Sequence, residues 1–450
     1  MKTNILAILI GAMAPLSAQA TTVAIIDSGF DYEHEALQGK VWTNPAEVAD
    51  DTLDNDGNGK IDDVHGWNFA DNDGLIIDYK LQDSYVPDIE KFLELQLAAT
   101  EGSATEGEKI WLKERLGDGE FIKRLQTFGG YAHGTHVAGI VARDNPGAQL
   151  IAAKLISTKT FFEKLKRKVH ASLAEGKDVG FIQEFVIKAG MYGLAIQQAK
   201  TFATIAEYLH ANGVTVANGS FGTGMEQIRG LVGPILMAVT KGQPSPELVD
   251  EYAAFFVNRI IAEQAKIFAK YPDILFVFAA GNDSSDNDAL PAAPAGVRLD
   301  NVITVGATIG NSAIAPFSNF GASRVDLFAP GVGTRSSVPH QNMYLPLSGT
   351  SMAAPEVTRV AALIKDKNPN LAAKDLRDIL MGTIDRKDFL KGRSYTEGVV
   401  NDERAVAAAA GSLTTDIRSA IKSAKRAVAD KNPVGKYDAK NGDFSYVTPF

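Results

Sequence analysis

The sequence predicts an α/β protein, a central and mostly parallel sheet with helices on both faces. Three observations predict it: short β-branched, apolar runs recur along the 450 residues, helical periodicities fall between them, and polar residues collect where several runs end. Runs that are apolar on both faces belong to strands covered on both sides, as parallel strands are.

The elements follow in order. Residues 1–20, "MKTNILAILIGAMAPLSAQA", read as a signal peptide, with an uncleaved signal anchor as the alternative: Lys2 gives a positive start, Ile5 to Ala14 an apolar run too short to span a membrane comfortably, and Ala18-Gln19-Ala20 a small-x-small cleavage site. The mature chain is expected to begin at Thr21 and to be exported, to the periplasm or the medium. Strands are expected at "TTVAIID" (21–27), "QLIAAKL" (149–155), "GVTVANGS" (213–220), "DILFVFAAGN" (273–282), "NVITVGAT" (301–308) and "VDLFAPG" (325–331). Helical patterns cover 134–143, 180–211, 246–270, 352–366 and 373–382. Insertions interrupt the scaffold at 44–128, first rich in Asp, Asn and Gly and then helical and charged, and at 156–211. The main domain spans 21–412, and 413–450 form a C-terminal amphipathic helix and a glycine-punctuated tail.

Composition narrows the function. With 45% hydrophobic and 22% charged residues the chain buries a large core. Past the leader the apolar segments, such as "ILFVFAAG" (274–281), are too short for a membrane span. The absence of cysteine excludes disulfides and thiolate chemistry, leaving packing and metal ions to stabilise an exported protein. A net charge of -9 argues against nucleic acid as a partner; the basic run "KLKRK" (164–168) reads as the solvated face of a helix.

Ligands of parallel sheets gather outside the carboxyl ends of strands, and those ends here carry Asp27, Ser220 and Gly281-Asn282. In "LPLSGTSMAAPEVTRVAALI" Ser351 follows Gly349-Thr350 where a loop enters an apolar helix, whose N-terminus offers N–H groups and a positive dipole end to a developing oxyanion. A serine nucleophile needs a base, for which His133 of "GGYAHGTHVAGIVAR" is the candidate, with Asp27 to hold the imidazole and Asn282 to donate to the oxyanion. Each residue alone also fits a structural role: Ser351 an N-cap, Asp27 a turn cap, Asn282 a turn residue. His133 and His136 lie three apart, whereas a zinc helix of the H-E-x-x-H type sets its histidines four apart with Glu after the first, where Gly134 stands.

"VAIIDSG", "HGTHVAG", "ANGSFG", "AAGN" and "GTSMAAP", in that order, resemble the subtilisin-like serine peptidases over roughly residues 22–412. The resemblance implies a secreted serine endopeptidase with Asp27, His133 and Ser351 as the triad and Asn282 in the oxyanion hole, and His136 as a structural histidine. It implies protein or peptide substrates that pair along Ser220, Phe221 and Gly222, with Ala280 and Gly281 walling the primary pocket. Asp283, next to Asn282, reads either as a solvated loop carboxylate or as a pocket-rim residue favouring a basic or neutral P1 residue over an acidic one. The leader leaves no room for the family's usual propeptide, so the chain is expected to fold unaided or with a separate inhibitor or folding helper as partner. Glu356 and Arg359 stand where relatives carry His and Gly, which implies local rearrangement around the nucleophile helix.

"DTLDNDGNGKIDDVHGWNF" (51–69) resembles the start of an EF-hand loop, with ligands at alternating positions and then a glycine for the turn. A structural Ca2+ is expected on Asp54, Asp56, Asn58 and Lys60, the last through its carbonyl, with Asp62 or Asp63 completing the shell in place of a bidentate Glu, since His65 fills the twelfth position. A turn-rich loop without metal is the alternative. The competing function is a calcium-stabilised binding protein on an inactive peptidase fold, against which stands the presence of every catalytic residue.

Overall fold

The computed structural model describes residues 20–156, 181–240, 242–340 and 342–432. The expected leader up to residue 19, the basic run at 164–168 and the tail from 433 lie outside the described residues.

The main sheet is built from β1 (Thr21–Asp27), β2 (Gly66–Asn68), β3 (Ala148–Lys154), β4 (Val216–Gly219), β5 (Leu275–Ala279), β6 (Val302–Ile309), β7 (Ala313–Ile314) and β8 (Leu327–Pro330). A separate antiparallel pair, β9 (Thr334–Val338) and β10 (Met343–Leu347), precedes the last two sheet strands, β11 (Asp385–Arg386) and β12 (Gly398–Val399). The order is β11-β12-β8-β6-β5-β4-β1-β3-β2, with β7 on β6. All neighbours from β12 to β2 run parallel. All the strands expected from the sequence are present, β1 with the expected bounds and the others shorter or shifted by a few residues.

Ten helices are described: α1 (Pro87–Thr100), α2 (Glu106–Gly117), α3 (Gly119–Ala142), α4 (Phe181–Ala211), α5 (Met225–Thr240), α6 (Pro246–Phe268), α7 (Thr350–Lys367), α8 (Ala373–Gly382), α9 (Asp402–Gly411) and α10 (Ile417–Ala427). Strand period explains their two layers. Val23 and Ile25 of β1 face a core shared with α1, α3 and α7, while Ala24 and Ile26 face a second core shared with α4, α5 and α6. Burial on both faces is why β1 reads as a nearly continuous apolar run. Among the described residues, no helix is long and apolar enough to cross a membrane.

The histidine helix departs from expectation. Its pattern was expected to begin at 134 after a glycine turn, whereas α3 is continuous from Gly119 and carries His133 in its interior. Asp118 starts it, its carboxylate accepting from the Glu120 and Phe121 N–H groups. Gly129 and Gly130 each cost a helix about 1 kcal/mol, but burying Phe121, Leu125 and Phe128 gains about 1.5–3 kcal/mol apiece, so tertiary packing wins. Helix α5 went unrecognised for the same reason, since Gly230, Gly233 and Pro234 hide its apolar face.

Candidate active site

Strand β1 has β3 on one side and β4 on the other, so the carboxyl ends of β1 and β4 flank the point where strand order reverses. Asp27 ends β1 and is fully buried. Its Oδ1 accepts from the Ser28 N–H at 2.7 Å and lies 2.6 Å from His133 Nδ1. A carboxylate only accepts, so Nδ1 carries the proton and Nε2 is left with the lone pair a base needs. Gly134 makes this approach possible: a Cβ there would stand 1.9 Å from the Gly29 carbonyl oxygen, so no larger residue lets α3 reach the β1 loop.

Ser351 occupies the first turn of α7, against which α3 packs, and Gly349 is the N-cap. Pro355 lacks the N–H that would bond the Ser351 carbonyl, four residues back. Ser220, just past β4, fills that role, its Oγ donating to the Ser351 carbonyl at 2.8 Å. In return Ser351 Oγ donates to the Ser220 carbonyl at 3.2 Å. Asn218 Nδ2 donates to Ser220 Oγ, and Thr358 on α7 donates to Asn218 Oδ1, both at 2.9 Å. The end of β4 and the start of α7 are therefore fixed by one hydrogen-bonded chain.

Asn282 is held from the opposite side. Its Oδ1 accepts from Thr350 N at 2.9 Å and from Thr350 Oγ1 at 2.8 Å, which turns Nδ2 toward the Gly349 to Ser351 turn. Thr350 Oγ1 in turn accepts from Gly281 N at 3.2 Å. Gly281 has φ +111, a conformation that side chains rarely adopt. Asn319 pins the same loop, accepting from Asp283 N and Ser285 N and donating to the Ala280 carbonyl.

The expected pocket residues lie beside this centre. Phe221 packs its ring on Phe202 and Phe278, so it faces the core and offers backbone to the cleft. Beyond Gly222, Thr223 and Ala293 exchange backbone hydrogen bonds. Ala280 is buried beneath Gly281. A cavity of about 240 Å³ adjoins them, lined in part by Gly224, Met225, Asp283, Leu290, Ala292 and Asn319. Asp283 is exposed at its edge, with an Oδ2 that a Cβ on Gly224 would meet at 2.6 Å.

His136 plays a different part from His133. It is fully buried, its Nε2 donates to the Leu345 carbonyl at 3.0 Å, and burial pushes its pKa down to about 3. The unusual pair on α7 is absorbed by ion pairing: Arg359 reaches Glu356 at 3.2 Å and Asp402 on α9 at 3.0 Å, while Arg143 at the end of α3 also holds Glu356. Buried charges so paired escape the penalty of an isolated one, and the nucleophile turn stays intact.

In the Asp-rich loop the structure gathers Asp54 and Asp56 with Glu47, one oxygen of each within 4.8 Å of the others. Glu47 Oε2 and Asp62 Oδ1 are buried without a hydrogen-bond partner. Asn58 donates from its backbone N–H to Asp54 and Asp56 and from its amide to Asp56 and Asp63. Asp63 is fully buried and also accepts from Asn44, and burial raises its pKa. Lys60 Nζ lies 5.1 Å over the Tyr208 ring.

Sequence reasoning missed Thr350, Asn218, Thr358, Asn319 and Glu47. Thr350 sits inside a recognised motif and Glu47 inside a recognised acidic insertion, so both carried a signal. Asn319 carried none, because only the fold brings it to the Asn282 loop.

A buried aspartate oriented on a histidine, a helix-start serine at the same sheet edge and an amide donor opposite are the kinds of group that acyl transfer through a serine nucleophile requires. The chain belongs to the subtilase family, whose model matches residues 18–402. It is 30% identical to subtilisin BL of Lederbergia lenta over 285 residues, 61% of this chain and 78% of the relative. It is 41% identical to alkaline elastase YaB of Bacillus sp. (strain YaB) over 143 residues, 32% of this chain but only 35% of the elastase. Among solved structures a lanthipeptide protease is similar at a TM-score of 0.48 and 17% identity, over 86% of each chain.

Proposed function

We propose that the protein is an exported serine endopeptidase that cleaves peptide bonds in proteins or peptides through an acyl-enzyme. The observation that carries the proposal is the buried 2.6 Å contact between Asp27 Oδ1 and His133 Nδ1 at the sheet edge where Ser351 also lies.

Ser351 Oγ attacks the scissile carbonyl while His133 Nε2 takes its proton, and Asp27 stabilises the imidazolium that results. The oxyanion receives hydrogen bonds from Asn282 Nδ2 and the Ser351 N–H at the start of α7. His133 then protonates the departing amine, and water, deprotonated by the same nitrogen, releases the acyl group. Substrate backbone pairs along Ser220, Phe221 and Gly222, and the P1 side chain enters beside Ala280, Gly281 and Asp283. Export rests on the leader motif, and a separate inhibitor or folding helper remains part of the proposal.

The Asp-rich loop fits a structural Ca2+. Hard oxygen donors converge from Glu47, Asp54 and Asp56, with Asp62 Oδ1 buried and unpartnered nearby, and Asn58, Lys60 through its carbonyl and Asp63 belong to the same loop. When bound, the ion supplies cross-linking of that loop and no catalytic step.

A fluorophosphonate probe tests the proposal. Covalent labelling mapped to Ser351 and lost in Ser351→Ala is expected; labelling that persists in Ser351→Ala ends it.

A further inference from the structure

We propose that cleavage after Ala20 turns the Thr21 backbone nitrogen into an ammonium that pairs with Asp366 and clamps β1 to the far end of α7. The proposal rests on the proposed export only in that the Ala18-Gln19-Ala20 site supplies the cut. Hydrolysis of the Ala20–Thr21 bond by a leader peptidase consumes one water and yields the Ala20 carboxylate and the Thr21 amine, which is largely protonated at neutral pH.

The pocket is already shaped for such a group. Asp366 is partly buried in the last turn of α7, and burial pushes its carboxyl pKa up. Among the described residues it forms no ion pair with Lys, Arg or His; the groups acting on it are both on Thr21, the hydroxyl, which donates to Oδ1, and the backbone N–H. That N–H donates to the Gly147 carbonyl at 3.0 Å. That amide hydrogen is committed to Gly147, whereas an ammonium brings three hydrogens and the positive charge that a desolvated carboxylate needs as a partner. Gly147 makes the room, since a Cβ there would stand 2.1 Å from Asp366 Oδ2. Thr21 is 4% exposed, so the pair would be sheltered from screening water.

The placement gives the clamp its consequence. Strand β1 runs from Thr21 to Asp27 and α7 from Ser351 toward Asp366. Strand and helix rises put the clamp about 20 Å from the catalytic ends of both elements. Leader removal thereby ties together the two elements that bear the acid and the nucleophile.

The test compares chains beginning at Thr21 with chains that keep Ala18-Gln19-Ala20 ahead of it. Both are released from a removable fusion, with Asp366 or Asp366→Asn, in a Ser351→Ala background that prevents self-digestion. The Thr21 chain is expected to melt about 2–4 °C higher, and Asp366→Asn should erase the difference. Equal melting temperatures for the two Asp366 chains, or a difference that survives Asp366→Asn, overturns the proposal. Should Asp366→Asn fail to fold, acetylation of the Thr21 amine replaces it and must erase the same advantage. N-terminal sequencing of the exported protein adds a second check, and a start other than Thr21 also overturns the proposal. Neither measurement depends on catalysis, so failure of probe labelling and failure of the clamp are separately visible.

Discussion

Thr350→Val probes how the oxyanion donor is held. Thr350 gives Asn282 Oδ1 two hydrogen bonds, from N at 2.9 Å and Oγ1 at 2.8 Å, and its hydroxyl also accepts from Gly281 N. Valine keeps the shape and the backbone bond but deletes the hydroxyl. One such hydrogen bond is worth about 0.5–1.5 kcal/mol, which, expressed wholly in the transition state, slows kcat about 2- to 12-fold. Asn282→Ala, which removes the donor itself, is expected to cost about 100- to 1,000-fold. Steady-state kinetics on a chromogenic peptide anilide should show kcat falling and KM holding, because the oxyanion exists only beyond the ground state. Since Thr350 acts through Asn282, adding Thr350→Val to Asn282→Ala should slow the enzyme no further. A full additional loss in that background would refute the reasoning.

The remaining predictions concern stability and specificity. His136 has a folded pKa depressed to about 3, so its stabilising neutral form is intact above its unfolded value near 6.5 and is lost as pH falls from there toward 3. Urea unfolding between pH 7.5 and 4.5 should show stability falling by up to about 1.4 kcal/mol per pH unit from this group, a slope that His136→Gln removes. An identical slope in both proteins contradicts it. His133→Ala, by contrast, should cut turnover to the residual rate while the protein still folds. Added Ca2+ should raise the melting temperature and EDTA lower it, and Glu47→Gln combined with Asp54→Asn should erase the response; no shift in the parent protein removes the site. Peptides with Lys, Phe or Glu at P1 should show Glu cleaved least, with Asp283→Asn narrowing the gap between Lys and Glu; a preference for Glu in the parent defeats that assignment.

Much of the fold was legible because parallel strands are buried on both faces. Runs such as "TTVAIID" and "NVITVGAT" have few other homes than strands covered on both faces, and β1 and β6 are found where they were expected. Short strands such as β2, β7, β11 and β12 were invisible, since two or three residues make no period. The start of α3 was misplaced because glycines at 129 and 130 look like a turn in sequence, and only the packing of Phe121, Leu125 and Phe128 shows that the helix runs through them. At the site, motifs pointed to the proposed reacting groups, while the groups that hold them were scattered. Asn319, Asn218 and Thr358 are ordinary polar residues until the fold joins them to Asn282 and Ser220. Arg359 shows the converse: it looked disruptive in sequence because its partners, Glu356 and Asp402, lie one turn and one helix away.

The central claim, that Asp27, His133 and Ser351 act as one unit, is tested most directly by kcat/KM for the Ser351→Ala and His133→Ala proteins beside the Asp27→Ala/His133→Ala/Ser351→Ala protein. The account predicts that either single change costs about as much as all three together, leaving only the residual rate from the oxyanion donors. Losses that multiply from one substitution to the next, or turnover that survives Ser351→Ala at the parent rate, would contradict it.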